Sequence, residues 1–406
     1  MEEELELLKN NSDWSLHCFD CGREFSEEPI TSKCDCGGVL ELTLDVGNPK
    51  VEDFEGNGVW RYSRVLPIED GITPVTINEG NTPLIRLDKI ATDTGLKLFV
   101  KNEGQNPTGS FKDRGMTVAV TRAKSIGART LICASTGNTS ASAAAYGSRG
   151  GMKVIVLIPS GKIAGGKLVQ AVIHGASVIR VAGDFDAALE IMMSQASTRK
   201  DLYVVNSVNP FRIEGQKTGA FEIFEQLGRR VPDYVILPVG NAGNISAYWK
   251  GFSELKKWGI SNKTPRMIGV QASGAAPLAD AFLRREETVV RWKNPETVAS
   301  AIRIGNPVSW KKALKAVIDS KGQFLTVSDQ EILKSQRDLA SKEGIFVEPA
   351  SAAPLAALPH LRNVIDKNAL VVFVCTGSGL KDQNAVPIDP EKIPIVSDVK
   401  ELSQFL

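Results

Sequence analysis

Asn106-Pro107-Thr108-Gly109-Ser110-Phe111-Lys112-Asp113-Arg114-Gly115 joins a short apolar strand, Leu98-Phe99-Val100, to a helical pattern running from about Lys112 to Ser125. Val118, Ala119 and Ala123 share one face of that pattern, and Gly127 is its stop. Pro107 and Gly109 mark a tight turn, with Ser110 as the candidate N-cap. A strand-to-helix turn in a sheet protein faces the ligand crevice. Lys112 at that turn is either a solvated first-turn lysine or an amine that forms an imine with an aldehyde cofactor. The second role needs a neutral amine, and the ordinary lysine pKa of about 10.4 is too high for that. Burial and the positive potential of a helix start would both lower it.

Outward from this turn the chain alternates. Strand-like runs fall at Thr130–Ala134, Lys153–Ile158, Ser177–Val181, Leu202–Val205, Asp233–Leu237, Arg266–Gln271 and Leu370–Cys375. Helical stretches such as Asp184–Ser197, Arg212–Leu227 and Asn244–Lys256 lie between them. The strands are short and continuously apolar, as in sheets covered on both faces. That alternation predicts an α/β fold built on parallel sheet.

Two further turns follow strands and carry chemistry. Gly240-Asn241-Ala242-Gly243-Asn244 opens a helix after Tyr234–Val239. Its glycines let successive N–H groups converge on an anion, and the helix start adds positive potential. It is neither a Walker loop nor a G-x-G-x-x-G turn. In Asn206-Ser207-Val208-Asn209-Pro210-Phe211-Arg212, a guanidinium flanked by small polar donors suits a phosphate, or a helix-start salt bridge.

Composition narrows the class. A chain of 406 residues is long enough for two or three domains. Lys and Arg number 48 against 47 Asp and Glu, so no global field attracts nucleic acid or an anionic membrane. No run reaches the ~18 apolar residues of a membrane span. The acidic start, Met1 to Leu8, lacks a secretory core, which leads us to expect a cytoplasmic enzyme. The three histidines, His17, His174 and His360, sit in no catalytic setting, so acid–base work falls on another group. Cys133 and Cys375 read as buried strand-end thiols. The other four form Cys18-x-x-Cys21 and Cys34-x-Cys36, each pair followed by glycine, as in zinc-ribbon knuckles. They would hold a structural zinc ion or form an empty, relict site. Acidic residues outnumber Lys33 and Arg23 there, which favours a structural appendage over a nucleic-acid reader.

The segment around Lys112 resembles the pyridoxal-phosphate lysine of the tryptophan-synthase-β-like enzymes (fold type II), and the wider run Lys101 to Val120 resembles the threonine synthase family. Matches continue through Ser135-Thr136-Gly137-Asn138-Thr139-Ser140, Asn206 to Arg212, Gly240 to Asn244 and Cys375-Thr376-Gly377, and cover roughly residues 55 to 385. The resemblance implies two doubly wound, mostly parallel-sheet α/β domains. Residues 56–114 and 206–406 would form the large cofactor-binding domain, and 115–205 a small mobile one, after a zinc-ribbon-like element at 1–55. It implies that Lys112 is the Schiff-base lysine, that Asn138 meets the cofactor's 3′-oxygen and Thr376 its pyridine nitrogen, and that Gly240, Asn241, Ala242, Gly243 and Asn244 cradle its phosphate. Ser135, Thr136 and Thr139 would take the substrate carboxylate, and Asn206, Ser207 and Arg212 the substrate phosphate. The implied reaction converts O-phospho-L-homoserine and water to L-threonine and phosphate, in a homodimer that binds neither nucleic acid nor membrane. Rival readings are a cysteate synthase or a threonine or serine dehydratase of the same fold, or an inactive scaffold with a nucleic-acid-binding ribbon. Trp60-Arg61-Tyr62 would be a lead-in packed on the large domain, and Glu79 to Leu84 would open the first strand of the core. Glu348-Pro349-Ala350-Ser351-Ala352-Ala353 would pack the large domain and receives no site role, and the tail from Asp382 to Leu406 is read as wrapping the surface.

Overall fold

The computed structural model describes residues 13–25 and 33–382, except 93, 161–164, 184, 200 and 287, together with Ile393. The acidic N-terminus and most of the tail read as a surface wrap lie outside the described residues.

Two sheets carry the chain. One has four strands, all parallel, in the order Ser177–Val181, Lys153–Pro159, Thr130–Ala134, Leu202–Val204. The other has six, in the order Gln323–Val327, Arg266–Ala272, Tyr234–Pro238, Leu370–Cys375, Lys97–Asn102, Leu84–Arg86. Only its last pairing is antiparallel. Every residue of Thr130–Ala134 and of Tyr234–Pro238 is buried. That is why these strands read as unbroken apolar runs rather than alternating ones. The expected strands are present with ends shifted by no more than a residue or two, and the helices likewise. Leu84–Arg86 and Gln323–Val327 are edge strands, half-buried and short, so their patterns are weak.

The lysine helix spans Lys112–Ser125. Its N-cap is Phe111, not Ser110. Ser110 instead bridges Gly377 through its backbone, which ties the turn to the end of strand Leu370–Cys375. The helix crosses Pro210–Gln226 at two glycines. A Cβ on Gly115 would meet the Arg212 carbonyl oxygen at 2.5 Å, and one on Gly215 would meet that of Arg114 at 1.9 Å. Any side chain there would force the helices apart, and Lys112 would separate from Arg212.

A buried ionic framework holds the same crossing. Arg114 donates to Glu103 at 2.7 and 2.8 Å and to Glu222 at 2.7 and 2.6 Å. Lys101 donates to Glu222 at 2.6 Å. Two cations face two carboxylates, with Thr82, Thr218, Asn106 and Gln226 completing the hydrogen bonds. The lead-in joins this framework: Arg61 pairs with Glu225 at 2.9 Å, Tyr62 donates to the same carboxylate, and Trp60 donates to Glu79 at 3.1 Å.

The N-terminal element is a three-stranded antiparallel sheet with Asp13–Cys18 between Glu24–Phe25 and Leu40–Asp45. Leu16, Leu40, Leu42 and Leu44 share a core with Met116 and Tyr146 of the body.

Candidate active site

Every residue expected to meet the cofactor or the substrate lines one cavity of about 530 Å³, and the four paired cysteines do not. Lys112, Ser135, Thr136, Asn138, Thr139, Asn206, Ser207, Arg212, the Gly240–Asn244 turn and Thr376 all face it. They follow the C-terminal ends of five different strands, where parallel sheets place ligands.

Lys112 sits at the first helical position with its amine 4.1 Å from the Phe111 ring centre. It is open to the cavity yet otherwise surrounded by protein. Desolvation, followed by the positive charge of Arg212, lowers its pKa to about 7, against the pull of Glu348. A fair share of such an amine is neutral at neutral pH, as imine formation requires.

Arg212 is buried to 1% exposure. One nitrogen donates to the Val205 carbonyl at 3.0 Å, and its Nε has no partner. No carboxylate pairs with it among the described residues, and burial lowers its pKa to about 10. The salt-bridge alternative is therefore not what the structure contains. Buried charges are ordinarily paired, so a guanidinium left open toward a cavity is an anion-receptive position. Asn206 differs from its neighbours. Its amide accepts from the Ala134 N–H and donates to the Ala134 carbonyl, both at 2.9 Å, and so clamps the strand end.

The Gly240–Asn244 turn follows Tyr234–Pro238, and the helix after it runs Gly243–Lys257. Ala242 is its N-cap in the left-handed region, φ +68°. A Cβ on Gly240 would lie 3.1 Å from the Ala301 carbonyl oxygen, so the turn is seated closely under that segment. The Asn244 Oδ1 is buried without a partner.

Asn138 is the first residue of helix Asn138–Gly150, whose cap is Gly137. One of its Nδ2 hydrogens goes to Glu348 at 2.9 Å, and its Oδ1 is buried and unpartnered. Thr376 Oγ1 lies 3.0 Å from Ser351 Oγ, which also accepts from the Gly377 N–H at 2.7 Å. Glu348 and Ser351 thus touch two site residues although the sequence reading assigned them nothing. A buried carboxylate in an otherwise apolar run, Val347-Glu348-Pro349-Ala350, was the available signal.

None of the histidines lines the cavity; His360, for example, pairs with Glu331 at 2.7 Å on the surface. Cys133 and Cys375 are buried, and desolvation pushes both thiols to about 12, so they are inert. At the N-terminus, the four remaining sulfurs lie within 4.8 Å of one another.

Comparison with known proteins agrees with this geometry. Residues 75–377 match the pyridoxal-phosphate dependent enzyme family. A threonine synthase of Methanocaldococcus jannaschii is 51% identical, over 96% of this chain and 98% of its own. One of Methanosarcina acetivorans is 49% identical, over 95% and 96%. The chain belongs to the threonine synthases. Maize serine racemase superposes with a TM-score of 0.65 at 19% identity, covering 80% of this chain and 91% of that one, which shows a shared fold. The residues present fit the cofactor of this family: an amine held near neutrality, an asparagine amide at Asn138 with an N–H left to donate, and a tight turn at a helix start.

Proposed function

We propose that the chain converts O-phospho-L-homoserine and water to L-threonine and phosphate. What carries this reading is Arg212, a buried guanidinium with no carboxylate partner among the described residues, in the cavity that also holds Lys112 and the glycine–asparagine turn. One amine beside two anion-receptive positions fits a cofactor phosphate and a substrate phosphate together. Dehydratases of unphosphorylated amino acids need no second position.

Lys112, Asn138, Thr376 and the Gly240–Asn244 backbone would hold pyridoxal phosphate. Bound there, it supplies an electron sink for negative charge at the substrate Cα. Over the reaction the Cγ–O bond breaks and phosphate leaves. Cγ gains a hydrogen, Cβ loses one, and the hydroxyl of water goes to Cβ. One group must move protons along this chain of carbons, and the Lys112 amine, with its pKa held near 7, is the group present. Arg212 and Ser207 bind the substrate phosphate and stabilise its departure. Ser135, Thr136 and Thr139 offer hydroxyls and N–H groups to the carboxylate. Asn206 acts through the strand end that it clamps. Thr376 presents a hydroxyl rather than a carboxylate to the ring nitrogen, which suits elimination and replacement over transamination. We read residues 115–205 as a unit that closes over the cavity, against 56–114 and 206–406, and keeps bulk water out. We take the setting to be a cytoplasmic homodimer. Among the described residues no helix is long and apolar enough to cross a membrane.

The test is phosphate release from O-phospho-L-homoserine, with O-phosphoserine and threonine as controls. Threonine and phosphate should appear in equal amounts from the first substrate alone. Lys112→Ala should lose both turnover and the visible cofactor absorbance, and turnover surviving that change would overturn the scheme.

A further inference from the structure

The N-terminal element reaches into the catalytic cavity. Lys33, the residue before Cys34, is half-buried and lines it; among the described residues it is the only lining residue that element contributes. Arg291, Lys293 and Arg303 line the same cavity and are exposed. The position of Lys33 is set by the cysteine turn. Its backbone bridges Val39 across that turn, which is closed by hydrogen bonds from Cys34 N–H to the Gly38 carbonyl at 2.9 Å and from Gly37 N–H to the Cys34 carbonyl at 2.8 Å.

Apolar packing holds only one side of the turn: Cys18 and Cys34 are buried in the core, whereas Cys21 and Cys36 are exposed. Four thiolates on one ion would hold it. Tetrahedral zinc at about 2.3 Å from each sulfur requires S···S edges of about 3.8 Å. Cys18 and Cys36 are 3.5 Å apart, and Cys21 and Cys34 are 3.7 Å apart. The donor set therefore fits zinc with little movement. The element is also latched to helix Trp310–Asp319. Lys311 pairs with Asp20 at 2.6 Å, and Lys312 donates to the Leu40 carbonyl at 3.0 Å. Just before these lysines, the Ser309 N–H donates to the Asn241 carbonyl at 3.1 Å.

We propose that Lys33 is a binding residue for the anionic substrate, presented to the cavity by the cysteine turn, and that metal on the four thiolates sets substrate affinity through it. This rests on the phosphorylated-substrate reading above. A lysine ammonium is a point charge suited to a phosphate that must enter and leave. Its site is on a separate element from Arg212, so it can act on affinity without touching the proton-moving amine.

Four samples decide it: wild type and Lys33→Met, each cofactor-loaded, each with zinc or stripped by chelation. The readouts are zinc content, cofactor absorbance, KM and kcat, and the Kd of inorganic phosphate from its effect on that absorbance. Lys33→Met should raise KM and the phosphate Kd about tenfold, the loss of one charge-assisted contact, while kcat stays within about twofold. Zinc content and absorbance should not change, and Lys33→Arg should restore most of the affinity. Stripping zinc should weaken wild type by a similar factor and Lys33→Met by less than about twofold. Unchanged KM and phosphate Kd in Lys33→Met would overturn the assignment. Equal weakening of both proteins on stripping, or loss of helical signal, would overturn the role of the metal in placing Lys33. If wild type released no phosphate from O-phospho-L-homoserine, the reaction reading would fail, and the inorganic phosphate Kd would still decide Lys33.

Discussion

Arg114 and Arg212 are both buried guanidiniums, on two helices that cross at Gly115 and Gly215, and their surroundings are opposite. Arg114 is saturated by Glu103 and Glu222. Despite desolvation, the charges and hydrogen bonds of those carboxylates raise its pKa well above the ordinary value. Among the described residues Arg212 has one carbonyl and no carboxylate, and desolvation lowers it to about 10. Both positions cost solvation. Only the first recovers that cost within the chain; the second is left to a ligand. A buried charge with its partners is framework, and one without them is a site.

Exchanging each arginine for methionine tests the contrast most strongly. Arg114→Met leaves Glu103 uncompensated and Glu222 with Lys101 alone, and should cost about 3–5 kcal/mol of stability, the range for breaking a buried pair. Arg212→Met removes a charge that the folded chain does not compensate and strands one carbonyl, worth about 1 kcal/mol. Its unfolding free energy should stay within about 1 kcal/mol of wild type, while kcat/KM with O-phospho-L-homoserine falls at least ~100-fold. Chemical denaturation and phosphate-release kinetics measure the two quantities. A stable Arg114→Met, or an unstable but fully active Arg212→Met, would erase the distinction.

pH sharpens it next. Glu222 is held down to about 2 by Arg114 and Lys101 against its desolvation. A depressed carboxylate contributes stability that is present above its unfolded pKa of about 4.5, and that contribution is lost as pH falls from there toward 2. Lys112 is depressed to about 7 in the fold, so between about 7 and its unfolded value near 10.5 the unfolded chain holds the extra proton. Cofactor-free protein should therefore gain stability as pH rises through that window, and Lys112→Met should flatten the gain. Capture of pyridoxal phosphate by cofactor-free protein should climb with a midpoint near pH 7 as the amine becomes neutral. A midpoint near 10 would mean the amine is not desolvated.

The framework and the site were unequally legible in the sequence. The strands of the sheet interiors were readable because burial on both faces makes them continuous apolar runs; the edge strand Gln323–Val327 was not, since half-exposure breaks the pattern, and Leu84–Arg86 was expected only through the resemblance of Glu79 to Leu84. Lys112, Asn138 and the glycine–asparagine turn stood out because they follow strands and open helices. Arg114 lay in the quoted motif beside Lys112, yet nothing local distinguishes it from a surface arginine. Its partners Glu103 and Glu222 are 11 and 108 residues away. Ser110 was misread as a cap because its backbone bridge to Gly377 is a long-range contact. Asn206 clamps Ala134 across 72 residues, a pairing that periodicity does not encode. The cysteine pairs showed a metal-binding pattern, and only the folded chain showed that their turn puts Lys33 in the cavity.

The smallest effect concerns backbone strain, again by comparing a site position with one outside it. Ala242 in the glycine–asparagine turn and Lys321 in a surface turn both have positive φ, +68° and +56°. An L-residue there costs roughly 1–2 kcal/mol, which glycine avoids. Glycine also gives back about 0.4–1 kcal/mol through the greater freedom of the unfolded chain. The balance predicts that Ala242→Gly and Lys321→Gly each stabilise the cofactor-free fold by about 0.5–1 kcal/mol in denaturant titrations. Their functions should diverge. Lys321→Gly should leave cofactor affinity unchanged, because its turn does not line the cavity. Ala242→Gly loosens the turn proposed to cradle the cofactor phosphate, and should weaken cofactor retention a few-fold while the protein becomes more stable. Equal retention in both variants would mean that the strain at Ala242 is incidental, and that the turn is held by Ala301, Ile302 and Ser309 rather than by its own backbone.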